Sequence, residues 1–310
     1  MSPTPAGARG ATPPDGAAPG APPVVPRVAA GWRFAVFVLA SSVGVLGCRA
    51  VIPAAASVLE AATGVRLPAF VITLSIGMLI GHWWTFRQAE PGGWHKVMLD
   101  RSALTWRAVL GGAALGGAAV GVPSALLLAI GWLRLEPMPA GNVLASAFFT
   151  LGLLVPAALW EELVARGYAL ALLRERLGAR AAIAITSVAF GLMHLENRGA
   201  TVQSIALVTL AGIFLGSIVV AMRSLYAAWS AHVAWNFVMA GVMHTSVSGL
   251  GMGTPSYRTV DAGPDWATGG MWGPEAGLFA GAGMLVAMLF LLRRRAAPGE
   301  REGGDGRTDA

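Results

Sequence analysis

Six polar side chains stand where an apolar chain has least reason to put them. Glu161, Glu162 and Arg166 interrupt one hydrophobic run, His194 closes another, and His232 and Asn236 interrupt a third. An ionisable group in hydrocarbon costs a few kcal/mol, so such residues usually face the interior of a helix bundle or a wet cavity. Hydrolysis of a peptide bond needs an activated water, a base for its proton and donors for the oxyanion. A glutamate can act as the base, and a neutral histidine can assist it or bind a metal. A histidine with an asparagine amide can donate to an oxyanion. Zinc could be held by His194, His232 and a carboxylate, a donor set found in metallohydrolases. The His-Glu-x-x-His helix that usually announces a zinc protease is absent from the sequence. Ser187 and Ser230 do not stand out as nucleophiles, because buried serines commonly serve as helix-helix glue.

The spacings have a helical logic. Residues four apart share a helix face, so Glu162 can pair with Arg166, and His232 can present its ring beside the Asn236 amide. Glu161 is rotated by about 100° from Glu162, which gives the two acids different roles. Plainer readings compete: an ion pair that fixes helix position, interhelical glue for His232 and Asn236, an interfacial ring for His194. Glu196, Asn197 and Arg198 read as a solvated helix end. His82, His95 and His244 receive no catalytic role.

The elements that must position these groups are membrane spans. Apolar residues make up 55% of the 310 residues and charged ones 12%, against roughly 25% charged in a soluble domain. The apolar runs are long enough to cross a hydrocarbon core about 30 Å thick. Eight spans are expected, near 33–51, 67–86, 107–133, 143–173, 180–196, 202–222, 225–246 and 275–292, the fourth kinked at Pro156. The fold class expected is therefore all-α, a polytopic transmembrane bundle of about eight spans with an interior active-site cavity. No fixed-period repeat appears. The net charge of +6 comes from basic residues grouped at span ends, with no basic stripe of the kind that binds nucleic acid.

Most Arg and Lys fall on one side of an even-span topology, which puts both termini in the cytoplasm. Tryptophans near span ends suit the headgroup level. The pairs Gly112/Gly116, Gly117/Gly121 and Gly277/Gly281 permit close helix approach. Cys48, the single cysteine, reads as a buried hydrophobe. Residues 1–31 and 296–310 read as disordered tails flanking a transmembrane domain at 32–295. The stretch 247–272 reads as the longest loop, outside the membrane.

Depth allows the polar groups to meet. Glu161 before Arg174, His194 after Arg180 and Asn236 after Arg223 each lie roughly 20 Å from the basic end of their helices, and His232 lies about 6 Å nearer that end.

At this point the sequence resembles the CAAX protease and bacteriocin-processing family of intramembrane proteases, the Rce1-like proteins. Glu161-Glu162-Leu-Val-Ala-Arg166 matches Glu-Glu-x-x-x-Arg, Phe190-Gly-Leu-Met-His194 matches Phe-x-x-x-His, and His232-Val-Ala-Trp-Asn236 matches His-x-x-x-Asn. The resemblance covers a catalytic core at about 143–246. It implies an intramembrane endopeptidase in which Glu161 and His194 activate water, His232 and Asn236 stabilise the oxyanion, and Glu162 and Arg166 orient the assembly. Zn2+ held through His194 and His232 and a metal-free glutamate mechanism both stay open. The implied partners are a membrane-associated peptide or protein substrate and the lipid bilayer, with no nucleic acid; the oligomeric state is not assigned. The implied location is the inner membrane of a bacterial cell. A proton-coupled carrier and a catalytically silent scaffold or immunity-type protein are the competing functions. The lack of paired broken spans counts against the carrier, and the intact motifs count against the scaffold.

Overall fold

A computed structural model describes residues 27–138, 141–251 and 257–296. The chain is mostly helical. In order it forms α1 (Arg27–Thr63), α2 (Ala69–Gln88), the single turn α3 (Gly93–Lys96), α4 (Trp106–Ala129), β1 (Leu133–Pro137), α5 (Val143–Arg166), α6 (Tyr168–Leu192), α7 (Val202–Met222), α8 (Leu225–Phe237), β2 (Tyr257–Asp261), the single turn α9 (Asp265–Thr268) and α10 (Leu278–Ala296). Five helical stretches among the described residues are long and apolar enough to cross a membrane, and the one from Val143 to Leu192 contains both α5 and α6. Large apolar side chains point outward along these helices, among them Val43 on α1, Phe70 on α2 and Phe148 on α5. Lipid would solvate such a surface, whereas water would not.

The helices start where side chains can satisfy their first N–H groups. Thr105 accepts from the Ala108 N–H, Asn142 from that of Ala145 and Ser224 from that of Ala227, while Thr201 and Ser204 form a reciprocal capping box on α7. These caps matter most where neither lipid nor a neighbouring helix offers a partner.

The expected reversal between the fourth and fifth spans falls at Gly178, whose φ of 78° is left-handed, a conformation that glycine adopts without strain. Arg166 and Phe190 lie twelve positions on either side of it and touch, with the guanidinium carbon 4.2 Å from the ring centre. A straight helix would hold them about 36 Å apart. The chain also breaks once earlier, at Gly167, where a Cβ would stand 2.5 Å from the His82 ring. That break frees the Tyr168 N–H, which donates to His82 Nε2 at 3.2 Å, while His82 Nδ1 lies 2.8 Å from the Met78 carbonyl. His82 is thus a buried structural ring, its two nitrogens occupied.

Three expectations need correction. The fold is not purely α: β1 and β2 pair antiparallel, Leu133 opposite Asp261 and Pro137 opposite Tyr257. The ribbon was invisible in the sequence because its strands lie far apart in the chain, and one of them was read as the end of a span. The stretch 247–272, read as a loop, holds the short elements β2, α9 and a 3-10 turn at Gly270–Trp272; residues 252–256 lie outside the described residues. The first helix reaches from Arg27 to Thr63, beyond 33–51 at both ends. Of the expected tails, 1–26 and 297–310 lie outside the described residues.

Candidate active site

Three helices bring the polar groups together, and small residues set their spacing. α4 packs on α8, and α5 packs on both α6 and α8. A Cβ at Gly112 would fall 2.0 Å from the Ala227 carbonyl, and one at Gly116 2.0 Å from the Ala231 carbonyl. These two glycines let α4 lie against the backbone of α8 one residue before His232. Gly117 and Gly121, by contrast, have only ordinary neighbours at 3.6 Å or more. On the other side, Gly191 leaves room for the Thr209 hydroxyl, where a Cβ would stand 2.1 Å away. That contact seats the Phe190–His194 motif against α7. At Pro156 of α5, Ser75 of α2 donates to the Pro156 carbonyl at 2.6 Å and Trp229 of α8 to the Val155 carbonyl at 2.8 Å. Pro156, where a kink was expected, is thereby tied to both neighbours.

One turn beyond Pro156 lies a chain of contacts from Arg166 to Glu161. Arg166 donates to Glu162 Oε1 at 3.0 Å and to the Gly212 carbonyl at 3.1 Å, and its guanidinium lies over the Phe190 ring. Glu162 Oε1 also meets His232 Nδ1 at 2.9 Å. The other ring nitrogen, Nε2, lies 3.6 Å from Glu161 Oε2. Glu162 and Arg166 have no exposed side-chain surface, whereas Glu161 keeps 20% of its own. A buried ion pair contributes little net stability, because desolvation offsets its attraction. What it supplies here is orientation: with Nδ1 held by Glu162, the His232 ring can turn only Nε2 toward Glu161.

His194 is fixed in the same manner, its Nδ1 2.8 Å from the Phe190 carbonyl. His194, His232 and Asn236 line one cavity of about 30 Å³, room enough for a water. All six residues singled out in the sequence therefore gather here: Glu161, Glu162, Arg166 and His232 in direct sequence, His194 and Asn236 on the cavity wall beside His232.

Both histidines have Nδ1 on an oxygen, the usual support of a metal-bound imidazole. Among the described residues, however, no three His, Cys, Asp or Glu side chains are grouped as an ion would need.

The cavity has a further wall that the motifs did not announce. Glu275, buried just before α10, accepts from Trp235 Nε1 at 2.9 Å, Trp272 Nε1 at 3.0 Å, and the Ser248 N–H and hydroxyl at 2.6 and 2.9 Å. Trp235 sits between His232 and Asn236 in the sequence, and the Trp272 ring lies 6.5 Å from that of His194. Glu275 thus joins α8 to the segment that covers the site. An acid opening an apolar run was the available signal, by the cost argument that singled out Glu161; it was read as a span boundary.

Fold and site together describe a multi-pass helical membrane protein with a buried carboxylate, imidazole and amide cluster. Residues 143–238 match the family model of the Rce1-like type II CAAX prenyl endopeptidases, the family its three motifs resemble. Neither the curated proteins nor the solved structures contain a match to the chain.

Proposed function

We propose that the protein is an intramembrane endopeptidase that hydrolyses peptide bonds of membrane-associated substrates. The observation that carries this reading is the contact sequence Arg166–Glu162–His232–Glu161 beside a cavity lined by His194 and Asn236. At 3.6 Å from His232 Nε2, Glu161 Oε2 has no direct hydrogen bond to that ring and is left to accept from a water beside it. Glu161, the more accessible acid, takes the proton of that water, with His194 Nε2 assisting. The hydroxide attacks the peptide carbonyl, and His232 and Asn236 donate to the oxyanion. The proton then passes from Glu161 to the leaving amine, which balances the hydrolysis. Glu162 and Arg166 hold His232 in place and touch no substrate atom. In a metal-dependent form, His194 and His232 would hold zinc, which would acidify the water.

The same reading takes α5 and α6 as separate crossings. α8, extended by its π turn at Val238–Val242, and α10 complete eight spans around an interior site. Both termini then lie in the cytoplasm of a bacterial cell, on the arginine-rich side.

The test is to incubate the purified protein and its Glu161→Ala form with membrane-anchored peptides, with and without a chelator. Cleavage by the unaltered protein and its loss in Glu161→Ala are expected. Equal cleavage by both removes Glu161 as the base, and proton-coupled flux without cleavage replaces the protease by a carrier. Loss on chelation, restored by zinc, selects the metal-dependent form.

A further inference from the structure

Away from this site, at the arginine-rich end of the bundle, residues 95–105 before α4, the first part of α6 and the end of α7 line a polar cavity of about 350 Å³. Its cations are Lys96, Arg174 and Arg223. Lys96 is taken up by Glu90 and Glu175. Arg174 donates only to the Lys96 carbonyl and the Met98 sulfur, and neither it nor Arg223 has an ion pair among the described residues. Both arginines line the same cavity, and Glu175, next to Arg174 in the chain, is already engaged by Arg33 and Lys96. The one acid on the wall, Asp100, accepts from the Ser102 hydroxyl and faces His95.

Backbone geometry makes Arg223 more notable. It caps α7 with a φ of 51°, in the left-handed conformation that glycine would adopt at far lower cost. Two arginines on the wall of one cavity, neither in an ion pair among the described residues, offer charge-assisted donors to an anion.

A second observation says which anion. Met222 lines both this cavity and an apolar groove of about 1040 Å³ between α4 and α10. Gly283 of α10 packs on the Ala119 carbonyl, so the two helices run antiparallel, and the groove extends from Arg107 to Leu126 of α4. That is about 28 Å along the helix, longer than one leaflet of a hydrocarbon core about 30 Å thick. Ala114, Ala118 and Gly283 keep it open, their small side chains leaving the space between larger neighbours unfilled.

We propose that this cavity and groove form one binding site for an anionic phospholipid, its phosphate between Arg174 and Arg223 and an acyl chain along α4 and α10. A free phosphate shares the headgroup chemistry but has no use for the groove. Basic pockets between spanning helices are suited to such headgroups. The site shares no residue with the six that gather at Glu161, so its occupancy is tested by binding alone.

The experiment is native mass spectrometry of the full chain in mild detergent, with thermal melts, in the presence of phosphatidylglycerol, phosphatidylcholine or inorganic phosphate. Retention of one phosphatidylglycerol and a rise in melting temperature with that lipid alone are expected. Arg223→Gln should cut retention at least tenfold, and Arg223→Lys should restore most of it. Ala118→Trp, which fills the groove, should also cut retention at least tenfold. Arg223 is exposed and only its backbone N–H, which donates to the Val219 carbonyl, takes part in a described hydrogen bond, so variants of its side chain keep the fold. Equal retention of both lipids, or retention unchanged in Arg223→Gln, overturns the site. An equal effect of inorganic phosphate, or no effect of Ala118→Trp, overturns the lipid as its occupant.

Discussion

Two charge clusters, one centred on Glu90 and Glu175 and the other on Glu161 and Glu162 of α5, treat their carboxylates differently. Around Glu90 and Glu175 every carboxylate oxygen is matched. Arg33 bridges both acids, Lys96 does the same, and the Tyr168 hydroxyl donates to Glu90 at 2.9 Å. Around Glu161 and Glu162 the matching is incomplete. Glu162 Oε1 receives both Arg166 and His232, Glu162 Oε2 has no hydrogen-bond partner, and Glu161 meets only the His232 ring at 3.6 Å. A saturated network resists change and holds elements together; an unsaturated one keeps an acceptor free for a proton or a substrate. By this contrast the first cluster clamps the α1–α2 hairpin to α6, and the second is arranged for chemistry.

The comparison can be broken most severely at Glu161. Glu161→Gln keeps the shape and removes the proton acceptor, so peptide cleavage should fall by about 10²- to 10⁴-fold while the melting temperature hardly moves. Glu175→Gln, assayed beside it, should leave turnover near that of the unaltered protein. Similar activity losses in both variants would erase the distinction between the clusters. Next in size is Arg166→Met, which strands Glu162 in the bundle without its cation. Loss of one partner of a buried pair costs about 3–5 kcal/mol, so here stability and activity should fall together in denaturation and cleavage assays.

Gly116→Val probes the positioning of His232 through the backbone. The added Cβ meets the Ala231 carbonyl at 2.0 Å, and crowding of this kind costs about 1–3 kcal/mol. Because α8 must shift, cleavage should drop by more than the fraction unfolded accounts for, whereas Gly117→Val, with open neighbours, should do far less.

Much of the site was legible in the sequence because burial of a charge in an apolar run is conspicuous, and spacing by four assigns partners within a helix. Glu162 with Arg166 follows directly from that rule. Contacts across helices do not: that His232 reaches Glu162 with Nδ1 and leaves Nε2 for Glu161 depends on the approach of α8 to α5. The reversal at Gly178 was expected from the arginines around it, but the break at Gly167 required the His82 ring. Glu275 was missed because its donors, Trp235, Trp272 and Ser248, are scattered, two of them in a stretch rich in glycine and proline that offered no periodicity. The β1–β2 ribbon escaped for the same reason.

The mildest test addresses the saturated cluster. Glu90 lies beyond the end of α2. Burial would raise its carboxyl pKa, but hydrogen bonds from Lys96 and Tyr168 and the charges of Lys96 and Arg33 outweigh it and hold it below its ordinary value of 4.5. A carboxylate whose folded value is lowered adds stability above its unfolded value and loses it as pH falls through the folded one. Glu90→Gln should therefore cost about 1 kcal/mol at neutral pH. Melts of the two forms should converge as the pH falls from 4.5 through the lower folded-state value, where the native carboxylate becomes protonated as well. A variant that melts at the native temperature at neutral pH, or a gap that persists in acid, would show that the clamp rests on apolar packing of α1 and α2 rather than on its ion pairs.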